Sequence, residues 1–175
     1  MTTLSGLDAL SGRLSDLRAA ALEDASAGLT PARLDDLWRE AQLTDVGFDA
    51  VSSTLCLVFD LRNALDLPDC DTALIRLRPA YTFGWSGPGA AHRYSPQYVV
   101  GCTVRHGASI SEITFDFVSG QSFSARAQEA EAVAGRSELF DLAPPDLTEA
   151  APEQIAAGFP RLDRRFEAYT YFKLV

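Results

Sequence analysis

The sequence predicts an α+β fold: a mostly antiparallel β-meander of about five or six strands, with N-terminal helices packed on its apolar face and short C-terminal helices at one edge. Three observations carry this. From Ser53 to Arg62, Leu55, Leu57, Phe59 and Leu61 fall on one side of an extended chain and Cys56, Val58, Asp60 and Arg62 on the other, and residues 72–79 repeat the arrangement. The N-terminal leucines recur at steps of three and four, as on one face of a helix. Beyond Gln97, further alternating stretches are separated by turn residues. A chain of 175 residues can bury a substantial core as one domain, here divided into a helical part (residues 4–43), a sheet (45–127) and a C-terminal helical segment with its tail (146–175).

In chain order, Leu4, Leu7, Leu10, Leu14, Leu17 and Ala21 share one helical face, and Asp8, Arg13, Asp16, Arg18 and Glu23 take other positions. Ser5 with Asp8 forms a capping-box pattern, and Gly28 can end the helix. Thr30 and Pro31 supply a cap and a first-turn proline for a second helix, with Leu34, Leu37, Trp38 and Ala41 on one face and an end near Leu43. Val46, Phe48 and Ala50 then alternate against Asp45, Gly47 and Asp49 as a short strand.

The two central strands follow. In the second, Ala73, Ile75 and Leu77 alternate with Leu74, Arg76 and Arg78, so Asp60 and Arg62 can stand across from Arg76 and Arg78 as a charge ladder on a solvated face. Between Gly84 and Pro96, three glycines and two prolines exclude regular structure around Trp85, His92, Arg93 and Tyr94. Gln97 to His106 reads as a strand with Tyr98, Val100, Cys102 and Val104 inward, and Ile113, Phe115 and Phe117 open a hairpin that turns at Ser119-Gly120 into residues 122–126. Residues 127–135 fit a helix or a strand extension, with Glu129 and Glu131 suited to a solvated edge. Pro144 and Pro145 break the pattern, a short helix around Pro152 ends at Gly158, and Leu162, Phe166 and Tyr169 continue a helical face before an aromatic tail that docks on the body.

The net charge is −9, from 15 basic against 24 acidic residues, which disfavours nucleic acid and anionic lipid and favours a basic protein partner. No apolar run approaches the roughly 20 residues of a membrane helix, and the N-terminus lacks a signal-peptide pattern, so a cytoplasmic protein without membrane contact is expected. Lys173 is the single lysine among 15 basic residues, a bias that fits a GC-rich genome. Cys56, Cys70 and Cys102 are far apart, with no CxxC and no histidine at zinc spacing, so buried thiols, no metal site and no cofactor are expected.

The residues from Leu57 to Arg62, Thr72 to Leu77, Pro144 to Leu147 and Ile155 to Phe166 together resemble a family of small acidic actinobacterial proteins with no assigned function. The resemblance implies a lone folded domain and brings no catalytic residue with it.

A hydrolase would need Ser95 or Cys102, His92 or His106, and Asp60 or Asp116 to converge, and no spacing favours that. Gly-x-Ser-x-Gly, His-Glu-x-x-His and the phosphate-binding Gly-x-x-x-x-Gly-Lys are all missing from the sequence. The adjacent Asp35 and Asp36 are read as solvated. Trp85, His92, Arg93 and Tyr94 suit recognition, because aromatic and arginine side chains dominate the energetics of binding surfaces. The expectation is therefore a non-catalytic acidic interaction domain, for instance an immunity-type inhibitor of a basic partner; the alternative is a small-molecule binder or enzyme with its pocket under the loop from Gly84 to Pro96.

Overall fold

A computed structural model describes residues 2–5, 38–64, 69–88 and 97–174, with only the backbone of residues 2–5 and of Phe172. Its strands are β1 (Thr2–Ser5), β2 (Gln42–Asp49), β3 (Thr54–Asp60), β4 (Thr72–Ser86), β5 (Val99–His106), β6 (Ser111–Phe117), β7 (Ser122–Ser137) and β8 (Arg165–Lys173), with one short helix, α1 (Pro152–Gly158), before β8. They form one sheet in the order β1-β8-β7-β4-β3-β2, and β6 lies beside β7 with β5 beside β6. Every pairing is antiparallel.

The long strand β7 is the branch point. It pairs with β4 along most of its length, with β6 through residues 122–127, and with β8 through residues 131–137. The β6 side closes on itself: a bridge joins Gln42 to Tyr98, with Glu40 N–H to Val99 O at 3.0 Å, Val99 N–H to Ala41 O at 2.8 Å and Leu43 N–H to Gln97 O at 3.0 Å. β2-β3-β4-β7-β6-β5 is therefore a closed antiparallel ring, which pairs strand edges that would otherwise be open. Its interior holds Leu55, Leu57, Phe59, Ile75, Leu77, Ile113, Phe115 and Phe123. Trp38 plugs it, 5.0 Å from Phe59 and 6.1 Å from Phe115 between ring centroids.

The opposite face of β3, β4 and β7 is also dry. Cys56, Val58, Leu74 and Val133 are buried there under Leu162, Phe166 and Tyr171. This corrects the solvated charge ladder: Arg62 folds back on Asp60 at 2.7 Å, Arg76 pairs with Glu131 of β7 at 2.5 Å, and both pairs are largely shielded from water. Glu131, expected on a solvated edge, is buried and also accepts a hydrogen bond from Tyr171 Oη at 2.8 Å.

The α+β expectation is overturned, because the described residues form a mostly antiparallel β-structure with α1 as their one helix. Of the helical part expected over residues 4–43, residues 2–5 are a strand on β8, residues 38–40 are a turn and Gln42 opens β2; residues 6–37, which hold the rest of both expected helices, lie outside the described residues. The sheet is not confined to residues 45–127, since β7 runs to Ser137 and β8 adds residues 165–173. Residues 127–135 are strand, and residues 130–135 are buried on both faces, so apart from the paired Glu131 they are small and apolar where an exposed strand would alternate.

The expected C-terminal helical face is β8. The ladder slips between Ala134 and Gly135, so Phe166, Ala168 and then Tyr171 reach the same core. Tyr169, expected on that face with Leu162 and Phe166, falls at the slip and is exposed. Gly135 is required at the slip, because a Cβ there would run into the Glu167 carbonyl of β8. A similar slip between Val99 and Gly101 puts Val99 inside and leaves Val100 exposed, reversing the expected inward position of Val100. The hairpin at Ser119-Gly120 is where the sequence placed it, with Gly120 at φ +78.

Candidate functional site

Trp85 lies near the end of β4, where every residue from Tyr81 to Ser86 is exposed. Opposite Phe123 in the β4–β7 ladder, it shares the ring's inward face, and Phe83 stands opposite Ala125 on that same face. Both remain open to solvent because β3 pairs with β4 only through residues 72–77. Trp85 packs on Phe123 at 5.2 Å and Phe117 at 5.4 Å, while Phe83 lies 4.9 Å from Phe48 of β2. Phe48, Phe83 and Trp85, each 42–47% exposed, form an uncharged aromatic shelf on buried phenylalanines. His92, Arg93 and Tyr94 lie outside the described residues, as does most of the loop between Gly84 and Pro96 in which a pocket was expected.

A second concavity was missed from the sequence. A cleft of about 330 Å³ is lined by Leu61, Arg62, Ala64, Cys70 and Asp71 on the β3–β4 side and by Phe140, Asp141, Leu142, Ala143 and Pro144 on the other. Arg62 fastens the two sides together: its guanidinium bonds the Asp60 carboxylate, donates to the Leu142 carbonyl at 3.0 Å and to the Gly158 carbonyl at 2.6 Å, and lies over the Phe159 ring. Asp71 is fully buried and accepts from Ser137 N–H at 2.7 Å and Ser137 Oγ at 2.5 Å. At the rim, Asp141 and Leu142 are exposed, and Arg136 lies over Phe140 while bridging to Asp69 at 2.8 Å.

The chain that follows this rim is acidic. Asp146, Glu149 and Glu153 are exposed, and the sequence has no basic residue between Arg136 and Arg161. Hydrogen bonds from the Thr148 side chain and backbone hold the Asp146 carboxyl below its ordinary range, so it stays charged. The cleft's own thiol is suppressed: burial, with help from Asp69 and Asp71, pushes Cys70 up to about 11. Burial likewise pushes Cys56 up to about 12. Neither is a nucleophile at neutral pH.

The pieces of a hydrolase do not meet among the described residues. Asp60 is committed to Arg62, Asp116 accepts a hydrogen bond from Ser122 at 2.5 Å, and His106 lies at the opposite end of the β5–β6 ladder from Asp116. Cys102 is buried inside the ring, and Ser95 and His92 are outside the described residues, as are Asp35 and Asp36. No group of three potential metal ligands occurs among the described residues. None of their helices is long and apolar enough to cross a membrane.

No family model and no curated protein matches the chain. Among solved structures, an uncharacterized protein from Neisseria gonorrhoeae is similar at a TM-score of 0.39 and 16% identity, over 54% of this chain and 90% of that one. A likeness of this degree carries no argument about activity.

Proposed function

We propose that the protein is a non-catalytic interaction protein that receives a basic protein partner at the cleft between the β3–β4 connection and residues 140–144. The observation that carries the reading is the cleft itself, about 330 Å³ in volume, with Asp71 in its wall and Asp141 and Leu142 exposed on it. A hollow of mixed polar and apolar lining with the exposed Asp141 at its rim suits an arginine or lysine side chain, whose stem packs against Phe140 and Leu142 while its charge meets Asp141. The net charge of −9 would steer such a partner from a distance. An immunity-type inhibitor that covers a basic active site is the most specific form of this reading.

The test is capture of partners by the tagged protein from its own cell lysate at low and high salt, alongside an Asp141→Lys variant. A stoichiometric basic protein that washes off in salt and is lost with the variant is the expected result. A partner that ignores both salt and the variant, or a bound metabolite with no protein, would overturn it.

A further inference from the structure

We infer that the basic side chain received by the cleft is an arginine and not a lysine, with its guanidinium stacked on Phe140 between Asp71 in the wall and Asp141 at the rim; this rests on the basic-partner reading and names its ligand. The charges around the cleft call for a cation. Arg62 is paired with Asp60 and Arg136 with Asp69, so the two arginines at the cleft already have their carboxylates. Asp71 and Asp141 line the cleft, and among the described residues no ion pair reaches either. Asp71 is fully buried and its carboxylate is held by the Ser137 amide and hydroxyl, both neutral donors, whereas a buried carboxylate is ordinarily paired with a cation. No group of three potential metal ligands occurs among the described residues, so the pair suits an organic cation.

The same fold shows which form of cation such a place takes. Arg62 lies over the Phe159 ring at 5.8 Å while bound to Asp60, and Arg136 lies over the Phe140 ring at 3.9 Å while bound to Asp69. Twice beside the cleft, then, a guanidinium is held by one phenylalanine and one aspartate. Phe140 is half-buried and lines the cleft itself, and Asp141 follows it directly, so ring and carboxylate stand together there a third time. Arg136 is not among the residues lining the cleft, and the part of the ring turned into it is left uncovered. A guanidinium presents a flat, weakly hydrated face to that ring and several N–H groups to carboxylates on two sides. An ammonium is a compact, strongly hydrated charge that gains less from either.

The test is a chemical-shift titration of the full chain with two tripeptides of equal charge, glycyl-arginyl-glycine and glycyl-lysyl-glycine, both acetylated and amidated. The arginine peptide should shift the amides of residues 139–143 and bind about two- to fivefold more tightly than the lysine peptide. Phe140→Leu should remove that preference and leave the lysine peptide's affinity unchanged, while Asp141→Asn, at an exposed position, should weaken both peptides. Equal affinities, or a preference for lysine, would overturn arginine as the ligand and leave the basic-partner reading in place. A preference that persists in folded Phe140→Leu would do the same. For the case that Phe140→Leu does not fold, intermolecular NOEs from the arginine side chain to the Phe140 ring of the wild-type chain are the second measurement, and their absence at saturation would overturn the proposal. If neither peptide moves the amides of residues 139–143, this inference and the basic-partner reading fall together.

Discussion

Residues 72–77 and 81–86 are two halves of one strand, yet they live in different environments. The first half has β3 on one side and β7 on the other and is buried on both faces, apart from a partly buried Arg76 paired with Glu131. The second half keeps β7, lies beyond the reach of β3, and is exposed at every residue. The first half is a run of large residues from Leu74 to Leu77, whereas the second alternates aromatics with small residues. The difference shows that neighbours decide the fate of a strand face: Phe83 and Trp85 point the same way as the core yet stay wet because the covering strand stops short.

The comparison can be broken by mutation. Phe59→Ala, next to the first half in β3 and fully buried against Trp38 and Phe115, should cost about 3–5 kcal/mol in denaturant unfolding. An unmoved midpoint would contradict the assigned core. Glu131→Ala removes the ion-pair partner of Arg76 and one hydrogen bond of Tyr171, and should cost about 3 kcal/mol. Arg76→Ala combined with it should recover part of that loss, and full additivity of the two would show that the pair is not coupled. In the second half, Phe83→Ala should cost only about 1 kcal/mol in a dilute sample, because a large part of the ring is already in water.

The effect smallest at neutral pH is that of the two buried thiols. Cys56 and Cys70 keep their protons in the folded state up to about 12 and about 11, while unfolded thiols ionise near 9.0. Their folded pKa values are raised, so their contribution is present below pH 9.0 and declines as pH rises towards those folded values. Alkylation of the native protein at neutral pH should accordingly be slow at both thiols and become fast on unfolding; rapid native labelling would refute their burial.

The same principle explains what the sequence could reveal. The β6–β7 hairpin was legible because alternation survives there, and β3 and the first half of β4 because large apolar residues recur at every second position even though both faces are buried. Residues 130–135 and β8 were not, since burial on both faces removes alternation from the first and the slip at Gly135 disguises it in the second. Arg62 was read as a solvated charge, and only its distant partners at Leu142 and Gly158 make it a clamp on the cleft. Trp85 was read into an irregular loop starting at Gly84, whereas β4 runs on through Ser86, and the shelf also needs Phe48, which is far away in sequence. Alternation reports a local face; it cannot report which remote segment will cover that face.

Residue-resolved hydrogen exchange along β4 in dilute solution tests this account most directly. Amides of residues 72–77 should exchange only with global unfolding, whereas in residues 81–86 those turned towards β7 should be protected and the alternate ones should exchange rapidly. Uniform slow exchange from Thr72 to Ser86 would contradict the division of β4 into a buried half and an open edge.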